Sequence, residues 1–170
     1  AMLDKGEAVA FVTWHHGARQ HADYAILRVL PETVIFTRKT FQYGKIFSYP
    51  MLKGQALSLL KMERLLEEGR PILYYLDGAP LGDTIQLPTF GIPSNFSTSP
   101  IKSICSVKDV KIIPVTNYYR KGNKVKVIFH PPLQSQQPLN EVDEKDVLAS
   151  LVRYLEADQR KRAPEQIMWW

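Results

Sequence analysis

The feature of this sequence that most constrains its fold is the alternation of short apolar runs with longer segments of helical periodicity. Runs rich in Val, Ile, Phe and Tyr at residues 8–14, 33–37 and 71–76 predict buried strands. Segments 16–30 and 54–68 predict helices, because their apolar residues recur at steps of three and four. Such alternation predicts an α/β layered domain with a mostly parallel central sheet and helices on both faces.

The second half of the chain departs from this pattern. Residues 79–100 contain four prolines and show no clear period, so they predict a long loop that is functional or mobile. A short helix is predicted over 100–107. Strands over 110–116 and 124–129 then flank the tight turn Gly122-Asn123, which predicts an edge hairpin.

The remaining signals concern helix ends and domain number. Pro31 ends the first helix, Gly69 ends the second, and Asn140 is predicted to cap a last helix over 141–160. A chain of 170 residues fits one domain spanning 1–170.

Composition narrows the partners and the compartment. The net charge of +5 favours partners that carry phosphate or carboxylate groups. Basic residues cluster only at Arg120-Lys121 and at 160–162. With Cys105 as its single cysteine, the chain has no internal disulfide and fits a reducing compartment. No apolar run reaches the roughly 18 residues that span a bilayer, and no signal-peptide pattern occurs at the start.

A histidine-rich segment lies between the first predicted strand and the first helix. Residues 14–21 read WHHGARQH and hold three of the four histidines. Ligands of parallel sheets bind beyond the carboxyl ends of the strands, so His15 is well located for a general base. Arg38 and Asp77 also lie at predicted strand ends.

Seven short segments support a resemblance to a known family. They are, in order, residues 15–20 (HHGARQ), 35–38 (IFTR), 68–78 (EGRPILYYLDG), 87–91 (LPTFG), 110–115 (VKIIPV), 130–133 (HPPL) and 164–169 (PEQIMW). In this order and spacing the chain resembles the lysophospholipid acyltransferase superfamily, and most closely its branch of bacterial lipid A (lauroyl/myristoyl-type) acyltransferases. The family's amino-terminal membrane helix is missing here, which indicates a fragment or a short form.

The resemblance implies a chemistry. In the family, a histidine followed by an acidic residue five positions later takes the acceptor's proton, and no covalent acyl-enzyme is required. His15 matches the histidine, but Gln20 stands where the acid belongs. An amide accepts a hydrogen bond from imidazole without stabilising its positive charge; a charge-assisted bond contributes roughly 1.5–3 kcal/mol against about 1 kcal/mol for a neutral bond.

Several groups remain open as replacements for the missing acid. His16, Gln20 and Asp23 share one face of the predicted helix. A shifted frame runs from His16 to His21, and Asp77 is a candidate for closing the site in space. Asp23 itself is interpreted as a solvated helix residue. The predicted catalytic set is therefore His15, His16, Gln20 and Asp77.

Other candidates concern substrate binding. Arg19, Arg38 and Lys102 are cations for a phosphate group, and the resembling motifs add Gly78, Phe90 and Gly91. The apolar residues of 79–100 predict either an acyl-chain channel or a loop packed on its own core.

Two residue types receive structural interpretations. Cys105 lies in an apolar helical pattern, which is typical of a buried small residue rather than a nucleophile. His15, His16 and His21 do not share one helical face, so no metal site is predicted.

Three functions of different classes follow. The first is transfer of a fatty acyl group from acyl-CoA or acyl carrier protein to a lipid or glycolipid acceptor, with no further cofactor. This function predicts a cytoplasmic protein in peripheral contact with the inner face of the membrane. The second is a catalytically degenerate protein that binds lipid, an acyl chain or a partner without turnover. Generic nucleic-acid binding ranks last.

Overall fold

The computed structural model describes residues 6–15, 19–37, 51–53, 56–78, 81–122, 124–134 and 138–164. Its strands are β1 (Val9–Thr13), β2 (Val34–Thr37), β3 (Met51–Lys53), β4 (Ile72–Tyr75), β5 (Thr84–Thr89), β6 (Ile92–Ser97), β7 (Lys111–Arg120) and β8 (Lys124–Phe129). Its helices are α1 (Arg19–Val29), α2 (Ala56–Glu67), α3 (Ser99–Cys105) and α4 (Glu144–Arg162).

The main sheet has six strands in the order β3-β2-β4-β1-β7-β8. The first five are parallel, and β8 returns antiparallel along β7. The predicted parallel sheet with an edge hairpin is therefore confirmed. Strands β1 and β4 are neighbours although 58 residues lie between Thr13, the last residue of β1, and Ile72, the first residue of β4. Thr13 pairs with Tyr75.

Helices cover both faces of this sheet, as predicted. Along β1, Ala10 and Val12 belong to the larger core, which includes residues of α2, α3 and α4. Val9 and Phe11 point to the opposite face and pack with Ile26 of α1. This strict alternation follows from the two-residue period of a strand, and it buries β1 on both faces.

The prediction of a long loop over 79–100 is wrong. Most of this segment forms the antiparallel hairpin β5–β6. Its turn consists of Phe90 (φ 53°) and Gly91 (φ 84°), both in the left-handed region that a two-residue hairpin turn of type I′ requires. The apolar residues Ile85 and Leu87 pack back on the larger core, and Phe96 is buried in it.

One further strand, one strand end and one helix cap also differ from prediction. The sequence pattern predicts no strand at β3, which begins directly after residues 38–50; the aromatic segment 38–50 is ambiguous in sequence and lies outside the described residues. Strand β7 runs on to Arg120 instead of ending at 116. The cap of α4 is Asp143 and not Asn140, because a 3₁₀ turn at Leu139–Glu141 precedes the helix. The Asp143 carboxylate accepts a hydrogen bond from the Lys145 N–H at 2.8 Å.

Gly69 ends α2, as predicted. The Gly69 N–H donates to the Leu66 carbonyl, and the Arg70 N–H donates to the Leu65 carbonyl, both at 2.9 Å. Gly69 has a φ of 72°, and an added Cβ would lie 2.7 Å from the Gly6 Cα. Two backbones therefore meet at this glycine.

We expect Gly69→Ala to lower the free energy of unfolding by about 2–3 kcal/mol, from the left-handed backbone and the backbone clash together. Gly122→Ala is the matched control, because Gly122 has a φ of 76° but nothing lies within 4 Å of an added Cβ. The control should lose only about 1 kcal/mol. Urea unfolding of both variants measures the difference, and equal losses would show that the contact with Gly6 is not tight.

Candidate active site

The candidate site lies where β1 and β4 end side by side. Because the two strands are parallel and in register, the residues that follow them emerge at the same edge of the sheet. His15 follows β1 by two residues, and Asp77 follows β4 by two residues. The structure thus brings together two of the four predicted catalytic residues.

The Asp77 carboxylate binds both the main chain and the ring of His15. The His15 N–H lies 2.9 Å from Oδ1 and 2.8 Å from Oδ2, and the ring Nδ1 lies 2.7 Å from Oδ1. A carboxylate can only accept hydrogen bonds, so Nδ1 carries the proton in this pair. The Nε2 atom of neutral His15 is then the unprotonated nitrogen, which is the state that a general base needs.

A tyrosine fixes the plane of this imidazole. The rings of His15 and Tyr75 are stacked, with centroids 4.5 Å apart and planes inclined by 18°. The Tyr75 hydroxyl donates a hydrogen bond to Asp23 of α1. The imidazole is therefore held by Asp77 at Nδ1 and by the anchored Tyr75 ring on one face.

The interpretation of Asp23 as a solvated helix residue is wrong. Asp23 is buried, with 4% of its surface exposed, and it binds a strand of the main sheet through Tyr75. A signal was available in the sequence, because Ile26 lies three residues on and faces the core. Sequence reasoning misses Tyr75, because its position in an apolar run indicates only a buried strand residue.

The pair remains accessible, and an aromatic cluster borders it. About 13% of the His15 side chain and 18% of the Asp77 side chain are exposed. The neighbouring Trp14 is buried and packs on Phe90, with ring centroids 5.5 Å apart. The Arg160 guanidinium lies 5.2 Å from the centroid of the same Phe90 ring. The β5–β6 turn thus directly contacts Trp14, the residue that precedes the histidine.

The other predicted site residues fall into two groups. His16 and Arg38 lie outside the described residues, as do the side chains of Arg19 and Gln20. Gly78 follows Asp77 directly, and its N–H donates to the Tyr75 carbonyl at 3.3 Å.

Gly91 completes the β5–β6 turn beside Phe90. Lys102 is exposed on α3, and among the described contacts none joins it to His15 or Asp77. The roles of these residues stay predictions.

Cys105 packs as a small buried side chain, with 4% of its surface exposed. Burial raises the pKa of its thiol to about 12, and Glu144 contributes in the same direction. The thiolate form is therefore scarce at neutral pH, which agrees with the structural interpretation of this residue.

A second histidine forms a separate polar network. His130 is buried between β7 and α4. The Thr116 hydroxyl donates to Asp158 at 2.8 Å, so it must accept from His130 Nε2, also at 2.8 Å. Nδ1 then accepts from the Tyr154 hydroxyl at 3.2 Å. Every hydrogen-bonding group of the neutral ring is satisfied, which is typical of a structural histidine.

The pKa of His130 predicts a pH dependence of stability. Burial lowers this pKa, and Arg162 adds to the effect, whereas Asp158 opposes it. In the unfolded chain His130 therefore binds a proton near pH 6.5, whereas in the folded chain it binds that proton only at lower pH. The free energy of unfolding should then fall as the pH drops below about 6.5. Urea unfolding at about pH 7.5 and 5.5 should show a larger loss for the wild type than for His130→Gln. Equal losses would contradict this assignment.

A cavity of about 430 Å³ lies at the opposite edge of the sheet, where β1 and β7 begin. Glu7, Leu66, Lys108 and Lys111 contribute to its lining, and none of the candidate site residues does. The Lys111 ammonium pairs with Glu7 at 2.6 Å there. This cavity is therefore distinct from the candidate site.

The fold and the site together define a class: parallel α/β proteins that present a carboxylate-bound imidazole at the carboxyl edge of the sheet. A comparison with protein families matches residues 31–170 to the family described as bacterial lipid A biosynthesis acyltransferase. The chain belongs to this family. A comparison with curated proteins gives no match.

Family membership supports acyltransferase activity in general, and with it an acyl donor, a lipid acceptor and a part in lipid biosynthesis. Asp77 lies inside the matched segment, and His15 lies before it. Among the described residues, no helix is both long enough and apolar enough to cross a membrane.

Proposed function

We propose that this protein transfers a fatty acyl group from the thioester of acyl-CoA or acyl carrier protein to a hydroxyl or amine of a lipid or glycolipid acceptor. His15 is the general base, and Asp77 is the acid that positions it. The observation that carries the proposal is the 2.7 Å hydrogen bond between His15 Nδ1 and the Asp77 carboxylate.

The proposed reaction has two steps. The Nε2 atom of His15 takes the proton of the acceptor hydroxyl as its oxygen attacks the thioester carbonyl. The C–S bond of the tetrahedral intermediate then breaks, and the leaving thiolate takes the proton back from the imidazolium. The products are an ester and a free thiol. Asp77 stabilises the positive ring between the two steps, as a charge-assisted partner at Nδ1.

The non-catalytic alternative depends on the amide at position 20, because Gln20 cannot supply that charge. The carboxylate of Asp77, just after β4, already binds Nδ1. The geometry therefore favours the enzyme over a degenerate lipid-binding protein. We further propose that the enzyme acts in the cytoplasm, in peripheral contact with the inner face of the membrane.

Thiol release from acyl-CoA and from acylated carrier protein tests the proposal, with a lipid acceptor present. The wild type should release thiol, and His15→Ala should reduce the rate at least about 100-fold, the usual contribution of a general base. The buried Cys105 adds little background to a thiol reagent. If wild type and His15→Ala are equally inert while both bind labelled acyl chains, the non-catalytic alternative is correct.

Gln20→Glu separates the two sources of the acid. Because Asp77 already holds Nδ1, we expect this substitution to change turnover by less than about threefold, the effect of a weak or absent new bond. A large gain in turnover would instead identify position 20 as a lost acid and would weaken the assignment of Asp77. The same thiol-release assay measures both outcomes.

A further inference from the structure

Two basic clusters that are distant in the sequence lie at the ends of neighbouring elements of the fold. Arg120-Lys121 ends β7, and residues 160–162 end α4. The Arg120 guanidinium lies 5.6 Å from the centroid of the Tyr118 ring. The Arg162 guanidinium pairs with Asp158 at 2.6 Å, and Asp158 accepts a hydrogen bond from the Thr116 hydroxyl of β7 at 2.8 Å. The end of α4 therefore lies beside β7, the strand that leads to the first cluster.

The first cluster lies at the end of the β7–β8 hairpin. Strand β1 pairs with β7 only as far as Pro114, whereas β7 and β8 pair with each other from Val115 to Arg120. The six further residues of β7, Val115 to Arg120, extend the hairpin by about 20 Å beyond that level. We call residues 116–122 and 124–128 the basic arm.

The charge of the basic arm is of one sign. Residues 116–129 include four basic residues and no acidic residue. Arg120, Lys121, Lys124 and Lys126 are all exposed. Lys161 and Arg162 at the end of α4 are exposed as well, although Arg162 is paired with Asp158 at 2.6 Å. A surface of this kind attracts a polyanionic partner.

The basic arm lies at the edge of the sheet that carries the candidate active site. Strand β7 is parallel to β1, so its far end extends in the direction in which His15 follows β1. At the end of α4, Arg160 contacts Phe90, and Phe90 contacts Trp14, the residue before His15. A partner bound at the arm would therefore face the same side of the protein as the site.

Exposed apolar side chains accompany the charge at this edge. Tyr119 on the arm is 50% exposed, and Ile92, directly after the β5–β6 turn, is 47% exposed. Leu57 and Leu60 are 79% and 64% exposed in the first turns of α2, a helix that starts where the parallel strand β3 has ended. Basic residues beside aromatic and aliphatic side chains are the combination found at lipid headgroups.

We infer that the basic arm and the end of α4 dock this edge of the protein on an anionic lipid bilayer. An acidic protein partner would use the charge but not the exposed apolar side chains, whereas a bilayer interface uses both. The inference deepens the proposed function and rests on it in one respect. A lipid acceptor can enter the active site without leaving the bilayer only if the site faces the bilayer.

Vesicle flotation of the full chain tests this surface. We compare vesicles of phosphatidylcholine alone with vesicles in which roughly one-third is phosphatidylglycerol. The wild type should bind the anionic vesicles and lose binding as salt shortens the screening length. Each lysine near such a surface contributes about fivefold in partitioning, so Lys121→Gln with Lys124→Gln should weaken binding about 25-fold.

The matched control removes two lysines near the opposite edge, Lys108→Gln with Lys145→Gln, both exposed in the structure. It should weaken binding by less than about threefold, because these positions lie beyond the screening length from the arm. Equal losses in the two double variants, or equal binding to neutral and anionic vesicles, would overturn the inference. Binding to acidic carrier protein but to neither kind of vesicle would overturn it in favour of a protein partner.

Thioester turnover with a detergent-dispersed acceptor separates this inference from the proposed function. The arm variant should retain wild-type turnover there, since neither Lys121 nor Lys124 belongs to the site. If the wild type binds anionic vesicles through the arm but releases no thiol, the proposed function fails and the docking surface stands. If turnover depends on His15 but vesicle binding does not depend on the arm, only the docking surface fails.

Discussion

Asp77→Asn is expected to lower turnover by roughly 10³–10⁴, with little change in fold stability. The amide oxygen, in place of Oδ2, can still accept the hydrogen bond of the His15 main-chain N–H, but the amide nitrogen, in place of Oδ1, can donate to the ring Nδ1. The proton of the neutral imidazole would then move to Nε2, and the base would be lost. In serine proteases the same acid-to-amide change lowers turnover about 10⁴-fold for this reason.

Asp83→Asn is the matched control, because Asp83 is exposed and only its main-chain oxygen makes described hydrogen bonds. It should keep wild-type turnover. Nitrogen NMR of the His15 ring reports which nitrogen is protonated, and it should show the change of tautomer only in Asp77→Asn. Turnover above about a tenth of wild type in Asp77→Asn would be too high for a positioned base and would contradict the role of Asp77.

Tyr75→Leu is expected to lower kcat about 100-fold while KM stays close to wild type. Tyr75 is buried, with 5% of its surface exposed, so it has little surface with which to bind a substrate directly. Its ring supports one face of the imidazole, and loss of that support lets the ring tilt. A displacement of about 1 Å in a reacting group costs about 10² in rate.

Tyr75→Phe dissects the two contacts of this side chain. It keeps the stacked ring and removes the hydroxyl that donates to buried Asp23. We expect about 1–3 kcal/mol of lost stability and a smaller loss of kcat than in Tyr75→Leu. Tyr119→Phe, at a half-exposed ring, should change stability by no more than about 0.5 kcal/mol. If Tyr75→Leu loses stability but keeps kcat, Tyr75 has only a structural role.

The sequence predicted the main sheet well, because its buried strands and amphipathic helices carry clear periods. It failed for the β5–β6 hairpin, since Pro88 and Pro93 stand inside the strands and the turn reads Phe90-Gly91. Prolines demote a strand signal, and Asn-Gly or Asp-Gly is the usual sequence of such a turn. Phe90 is held there by its contacts with Trp14 and Arg160, which are tertiary.

The site was predicted only in its parts. His15 and Asp77 were candidates for separate reasons, and sequence alone could not rank Asp77 above Asp23 as the replacement acid. Their pairing depends on β4 lying beside β1, with Thr13 opposite Tyr75. That neighbourhood follows from the crossover connections of the sheet and not from the local periods of either strand. The role of Tyr75 depends on the same register.

The carboxylate of Asp77 binds two different parts of a single residue, the amide and the ring of His15. Rotation of the imidazole about either side-chain bond breaks the ring contact while the main chain stays fixed. The torsional freedom of the base is therefore lost during folding, before any substrate arrives. Association with acyl donor and acceptor then requires no reorganisation of this group, which is the condition for electrostatic preorganisation in catalysis.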